Sequence, residues 1–167
     1  MIIWASGANA PAVFRSAREV GPVFLIPAAW SVVAATHLGI VTERTLFIAH
    51  VVMSVLLAAF AVTAYADMRE GTLRVWWAVI AVGFRLDSTP LHAAALYGWM
   101  LLPAAGFVDT GRRVTEAGVV YLGGAALCVV GAAVYAAVPA LPVGRVVGIA
   151  AVGLGQTAGI LDAALRY

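Results

Sequence analysis

TLRVWWAVIAVGFRLDSTPLHAAALYGWMLLPAAGFV, residues 72–108, decides how this chain is organised. The stretch is apolar almost throughout, yet it is nearly twice as long as the ~20 residues that one membrane-crossing helix needs. Its middle carries Arg85-Leu86-Asp87-Ser88-Thr89-Pro90. Ser88 or Thr89 can cap a following helix, and Pro90 fits the first helical position, where no N–H is required. The run therefore predicts two helices. The second, residues 90–108, has full spanning length. The first, residues 72–87, is short and crosses only with Arg74 and Arg85 snorkelling to opposite surfaces.

Outward from this stretch, four further segments have spanning length: residues 20–41 and 45–66 before it, 117–138 and 143–165 after it. Hydrophobic residues make up 63% of the chain and charged ones 11%, with a mean hydropathy of +1.00. A soluble domain carries roughly a quarter charged residues. The expected fold is an all-α, polytopic transmembrane bundle of six spans, the third short, forming one integral membrane domain over residues 1–167. Residues 1–18 read as an interfacial lead-in rather than a cleaved signal, because Arg15 and Arg18 sit at its far end and Trp4 and Phe14 suit the lipid boundary.

All ten basic residues are arginines, and their placement sets the orientation. With the N-terminus cytoplasmic, Arg15, Arg18, Arg69, Arg74, Arg112, Arg113 and Arg166 face the cytoplasm, against Arg44, Arg85 and Arg145 outside. A five-span arrangement, with residues 72–108 re-entering, moves Arg112 and Arg113 outside and erases this bias. The expectation is a multi-pass protein of the cell membrane with both termini cytoplasmic. Single arginines and one pair, without interleaved aromatics, do not make a nucleic-acid surface.

Pro22, Pro27 and Pro103 predict bends in the first and fourth spans. Gly118, Gly123, Gly124 and Gly131 in the fifth span, with Gly144, Gly148, Gly153, Gly155 and Gly159 in the sixth, permit close helix approach. Packing within that hairpin is the favoured use, and a homo- or hetero-oligomer through the same helices is the alternative. Cys128 reads as a small buried thiol. Gln156 reads as an interhelical hydrogen-bonding residue, and Asp162 with Arg166 as an (i, i+4) pair. Tyr65-Ala-Asp67 before Arg69 and Phe107-Val-Asp109 before Arg112 hint at duplicated halves, but membrane boundaries collect these residue types anyway.

Ionisable groups inside spans point to function. All three histidines fall toward the external side: His37 about 6 Å, His50 about 7 Å and His92 about 3 Å from their helix ends by a 1.5 Å rise. Trp30 and Trp99 lie two turns deeper than His37 and His92, on the same helical faces. Met53 follows His50 by nearly one turn, and Arg85 rims the same mouth. This set predicts an external pocket of His37, His50, His92, Trp30, Trp99 and Arg85 that holds a haem, a metal ion or a small ligand. Copper would use His37, His50, His92 and Met53. A proton- or ion-coupled transporter or channel uses the same histidines differently. A membrane anchoring or assembly subunit needs none of them, since His and Trp also anchor helices at interfaces. No Walker loop, dinucleotide fingerprint or His-Glu-x-x-His occurs, so no catalytic residue is assigned.

Overall fold

The computed structural model describes residues 9–63 and 89–166, which contain five α-helices and no strand. These are α1 (Asn9–His37), α2 (Glu43–Thr63), α3 (Thr89–Arg113), α4 (Gly118–Ala137) and α5 (Pro142–Arg166). Among the described residues, α4 and the stretch Pro142–Leu165 of α5 are long and apolar enough to cross a membrane. Val23–His37 of α1 is a shorter apolar run. Six spans are therefore not established by the helices themselves, and the expected third span, residues 72–87, lies outside the described residues.

α1 is one helix from Asn9 onward, so residues 9–18 of the expected lead-in run directly into the helix of the first span. That helix also stops at His37 rather than running to residue 41. Leu38, Ile40 and Val41 continue the apolar run, which is why hydropathy extends the span, but Gly39 adopts φ 71° and turns the chain. The Ile40 N–H donates to the Ala35 carbonyl at 2.9 Å and the Gly39 N–H to Thr36 at 3.0 Å, the paired bonds of a Schellman end. Thr42 then starts α2, its Oγ1 accepting the Thr45 N–H at 3.3 Å. Glu43 adds an acid to the first turn, where the helix dipole favours it.

α4 and α5 form an antiparallel hairpin whose seam is backbone on backbone. A Cβ placed on Gly131 would lie 2.5 Å from the Gly148 carbonyl oxygen, and one on Gly155 2.5 Å from that of Gly124. Nothing larger than glycine fits at these crossings, which places the glycine pairs inside the chain. α3 packs along α4, with Phe107 tilted against Tyr121 at 6.0 Å between ring centroids and pressed over Gly124 and Gly159. α1 lies along α5 with Trp30 on Gly153, and α2 packs on α1.

On α4 and α2 mostly small residues face the bundle and large apolar ones face out, while Trp30, Met100, Phe107, Ile149 and Val152 are buried in the core. The inner face of α4 is Gly118, Tyr121, Gly124, Ala125, Cys128, Gly131 and Ala132. Its outer face carries exposed Val119, Leu122, Leu127, Val129 and Val130. α2 likewise exposes Phe47, Ile48, Val52 and Val55 while burying Ser54. Cys128 is fully buried, as the sequence suggests.

Tyr135 near the end of α4 contacts both His37 at the end of α1 and Tyr97 in the first half of α3. The end of α1, the turn after α4 and the start of α3 therefore gather at one end of the bundle, the outer end below.

Candidate functional site: histidine and tryptophan bonds between helices

Pro103 is the local cause of the polar network in the bundle. Proline has no N–H, so the carbonyl four residues earlier, that of Trp99, loses its helical partner. Gln156 of α5 replaces it, its Nε2 donating to the Trp99 carbonyl oxygen at 2.8 Å. The other end of the amide, Oε1, accepts the Trp30 indole N–H at 3.0 Å. A carbonyl only accepts and an indole N–H only donates, so one amide orientation satisfies both. Gln156 is 4% exposed and joins α1, α3 and α5 through these two bonds. Sequence reading assigns it a cross-helix role, and the structure supplies the partners.

Trp99 extends the network to α2. Its indole N–H donates to His50 Nε2 at 3.2 Å, with the two rings edge-on at 85° and 5.4 Å apart. Because the indole cannot accept, His50 Nε2 must carry its lone pair in this bond. One turn further along α2, Ser54 is 1% exposed and, among the described residues, its Oγ has no hydrogen-bond partner. Four other helical hydroxyls bond the carbonyl four residues back: Ser31 to Pro27, Thr36 to Val32, Thr110 to Gly106 and Thr157 to Gly153. Ser54 departs from that pattern on the side of α2 that carries His50.

A second group lies at the outer end. His37 Nδ1 bonds the Val33 carbonyl at 2.9 Å, and its Nε2 meets the Tyr135 hydroxyl at 2.8 Å. A carbonyl only accepts, so Nδ1 carries the proton, and neutral His37 takes the Tyr135 O–H on Nε2. Tyr97 stacks edge-on against Tyr135 at 5.9 Å, and the Arg145 guanidinium carbon lies 5.5 Å from the Tyr135 ring centroid.

The structure thus brings Trp30, Trp99 and His50 into one network and places His37 in another. Met53 is half-buried on α2. Arg85 and the His92 side chain lie outside what is described. A metal or haem iron on His37 would have to displace Val33 or Tyr135, since both ring nitrogens are engaged. Among the described residues no three His, Cys, Asp or Glu side chains converge as a metal site. A groove of about 600 Å³ between α3 and α4 is lined only by apolar residues such as Leu101, Val108 and Val129, and includes none of the polar groups above.

Tyr135, Tyr97, Arg145 and Ser54 are absent from the sequence-derived site. Arg145 carried the only available signal, a basic residue in the first turn of a helix, where the dipole disfavours it. No protein-family model matches the chain, and comparison with curated proteins and with solved structures finds no significant match.

Proposed function

We propose that the chain is a six-crossing integral protein of the cell membrane, both termini cytoplasmic, that binds a small polar ligand between His50, Ser54 and Trp99. Support for the membrane reading comes from the exposed apolar faces of α2 and α4: Phe47, Ile48, Val52, Val55, Val119, Leu122, Val129 and Val130 face outward, while the buried sides of these two helices are mostly Gly, Ala, Ser and Cys. Lipid solvates such a surface, whereas in water it is an extended exposed apolar patch. Support for six crossings comes from the ends of the helices. α2 and α3 both begin at the outer end, as the alternating directions of six crossings require of them.

Ser54 Oγ carries the ligand reading. A buried hydroxyl with no partner costs about 1–3 kcal/mol, and it sits on the His50 face of α2 beside a network that already unites four helices. A ligand hydroxyl or amide would satisfy Ser54, with the Trp99 ring covering its apolar part. Haem or copper would instead compete with Trp99 for His50 Nε2.

Native mass spectrometry of the purified chain in lipid nanodiscs, with haemin and copper offered separately, tests this. The expected result is a retained small molecule lost in S54A and W99F, with no haem absorption band and no stoichiometric copper. Retention unchanged in both variants, or no bound molecule at all, refutes the ligand reading. A metal complex lost in H50A would replace it with a metal-binding role. Transport is a second reading favoured by the Pro103–Gln156 joint, at which α3 is held by a side chain rather than its own backbone. It predicts solute or proton flux in liposomes that Q156L alters.

A further inference from the structure

We infer that the outer end of the bundle holds an anionic oxygen group, a carboxylate or a phosphate, on Arg145 beside Tyr135 and His37. This site is separate from the ligand site proposed at His50 and Ser54 and does not depend on it.

Arg145 is the fourth residue of α5, which has no acidic residue in its first turn. A cation there meets the positive end of the helix dipole, a repulsion of about 0.3–1 kcal/mol. The guanidinium is also partly withdrawn from solvent, and its Nε is buried without a hydrogen-bond partner. Among the described residues no carboxylate pairs with it, in contrast to Arg113, which holds Asp109 at 3.1 Å. The Tyr135 ring gives the guanidinium an electron-rich face. A ring-face contact is not a hydrogen bond and leaves the guanidinium N–H donors for oxygen acceptors.

A half-buried cation in apolar surroundings, placed against a dipole of its own sign, is stabilised when an anion neutralises it. The chemistry available around it fits an oxyanion. The guanidinium fork matches two oxygens of one carboxylate or phosphate. Tyr135 and Tyr97 wall one side, and the Tyr135 hydroxyl, already on His37, fixes that ring in place. Arg145 lies about 5 Å into α5. In the six-crossing reading that depth is the external boundary, where lipid phosphates sit and where dissolved anions arrive.

The test uses the full chain in two arms, with R145K, R145Q and, as a control at the opposite end of α3, R113Q. In the first arm, nanodiscs of mixed phosphatidylglycerol and phosphatidylcholine are dissolved and retained lipid is counted by native mass spectrometry. In the second, the detergent-solubilised protein is titrated with inorganic phosphate and with acetate, and Tyr and Trp emission is followed. Affinity is expected to fall about tenfold or more in R145Q, the loss of one charge-assisted pair. R145K should fall between it and wild type, and R113Q should match wild type. Retention of phosphatidylglycerol without response to free anions assigns the site to a lipid headgroup, and saturable response to phosphate or acetate assigns it to a soluble anion. Circular dichroism confirms the fold of each variant, and R145K reports on the site if R145Q does not fold. Equal behaviour of wild type, R145K and any folded R145Q in both arms overturns the inference.

Discussion

The two sides of this bundle are held together by different forces. The α4–α5 hairpin closes through bare backbone, with Gly131 against Gly148 and Gly124 against Gly155 leaving no room for a methyl group. Between α1, α2, α3 and α5, side-chain packing such as Trp30 on Gly153 is joined by a chain of single directional bonds: Trp30 to Gln156, Gln156 to the Trp99 carbonyl, and Trp99 to His50. Close packing has one geometry and fails steeply when spread apart. Hydrogen bonds between side chains can be exchanged for bonds to a ligand or water at nearly equal energy. The hairpin is therefore the fixed frame, and the histidine–tryptophan side is where this molecule can respond to something.

The largest expected effect attacks the frame. Gly131→Val puts branched carbon where a bare Cβ already meets the Gly148 carbonyl oxygen and the Val152 side chain. It should destabilise by about 3 kcal/mol, measured as a lower unfolding midpoint in detergent. Gly123→Ala, on the same helix but facing open space, should gain up to about 1 kcal/mol from helix propensity. If both glycine changes behave alike, the seam is not what holds the hairpin, and the contrast between the two sides fails.

A smaller effect probes the proline joint. Gln156→Leu leaves the Trp30 N–H and the Trp99 carbonyl without partners and should cost about 1–3 kcal/mol. Pro103→Ala restores an N–H for that carbonyl, so the double variant P103A/Q156L should be less destabilised than the two single changes add up to. The expected coupling is about 0.5–1.5 kcal/mol, read from unfolding midpoints of all four proteins. Strict additivity would separate Gln156 from the proline and make it an ordinary buried amide.

How much of this was legible in the residues follows from what spacing encodes. Apolar runs and their punctuation located the helices: Thr89-Pro90 opens α3, and α4 and α5 fall within a residue of the expected spans at most of their ends. Helix rise alone puts His37 and His50 near the ends of their helices, with Trp30 and Trp99 two turns deeper than His37 and His92. Spacing failed where rotation about helix axes decides the partner. The two-turn rule gives Trp99 the His92 face of its own helix but does not reveal that its indole reaches His50 on α2. Trp30 was aligned with His37, yet it bonds a glutamine 126 residues away. Nor does any local pattern mark Tyr135, whose importance comes from three neighbours on three different helices. Gly39 was a missed local signal, since a glycine after a helical histidine near an apolar run's end is a common stop.

The smallest expected effect is also the most specific to the responsive side. The Trp99–His50 bond exists only while His50 Nε2 keeps its lone pair, because the indole N–H cannot accept. Replacing the imidazole by a side chain without an acceptor removes the bond, so His50→Leu should shift Trp99 emission and lower stability by about 1 kcal/mol. In His50→Gln an amide oxygen can accept the same N–H, and most of that shift should be lost. His37 provides the internal contrast: its two ring nitrogens are engaged by the Val33 carbonyl and the Tyr135 hydroxyl, so His37→Leu should leave the Trp99–His50 bond in place. A Trp99 emission shift that is absent in His50→Leu and present in His37→Leu would reverse that assignment and place the sensitive bond at the outer end of the bundle.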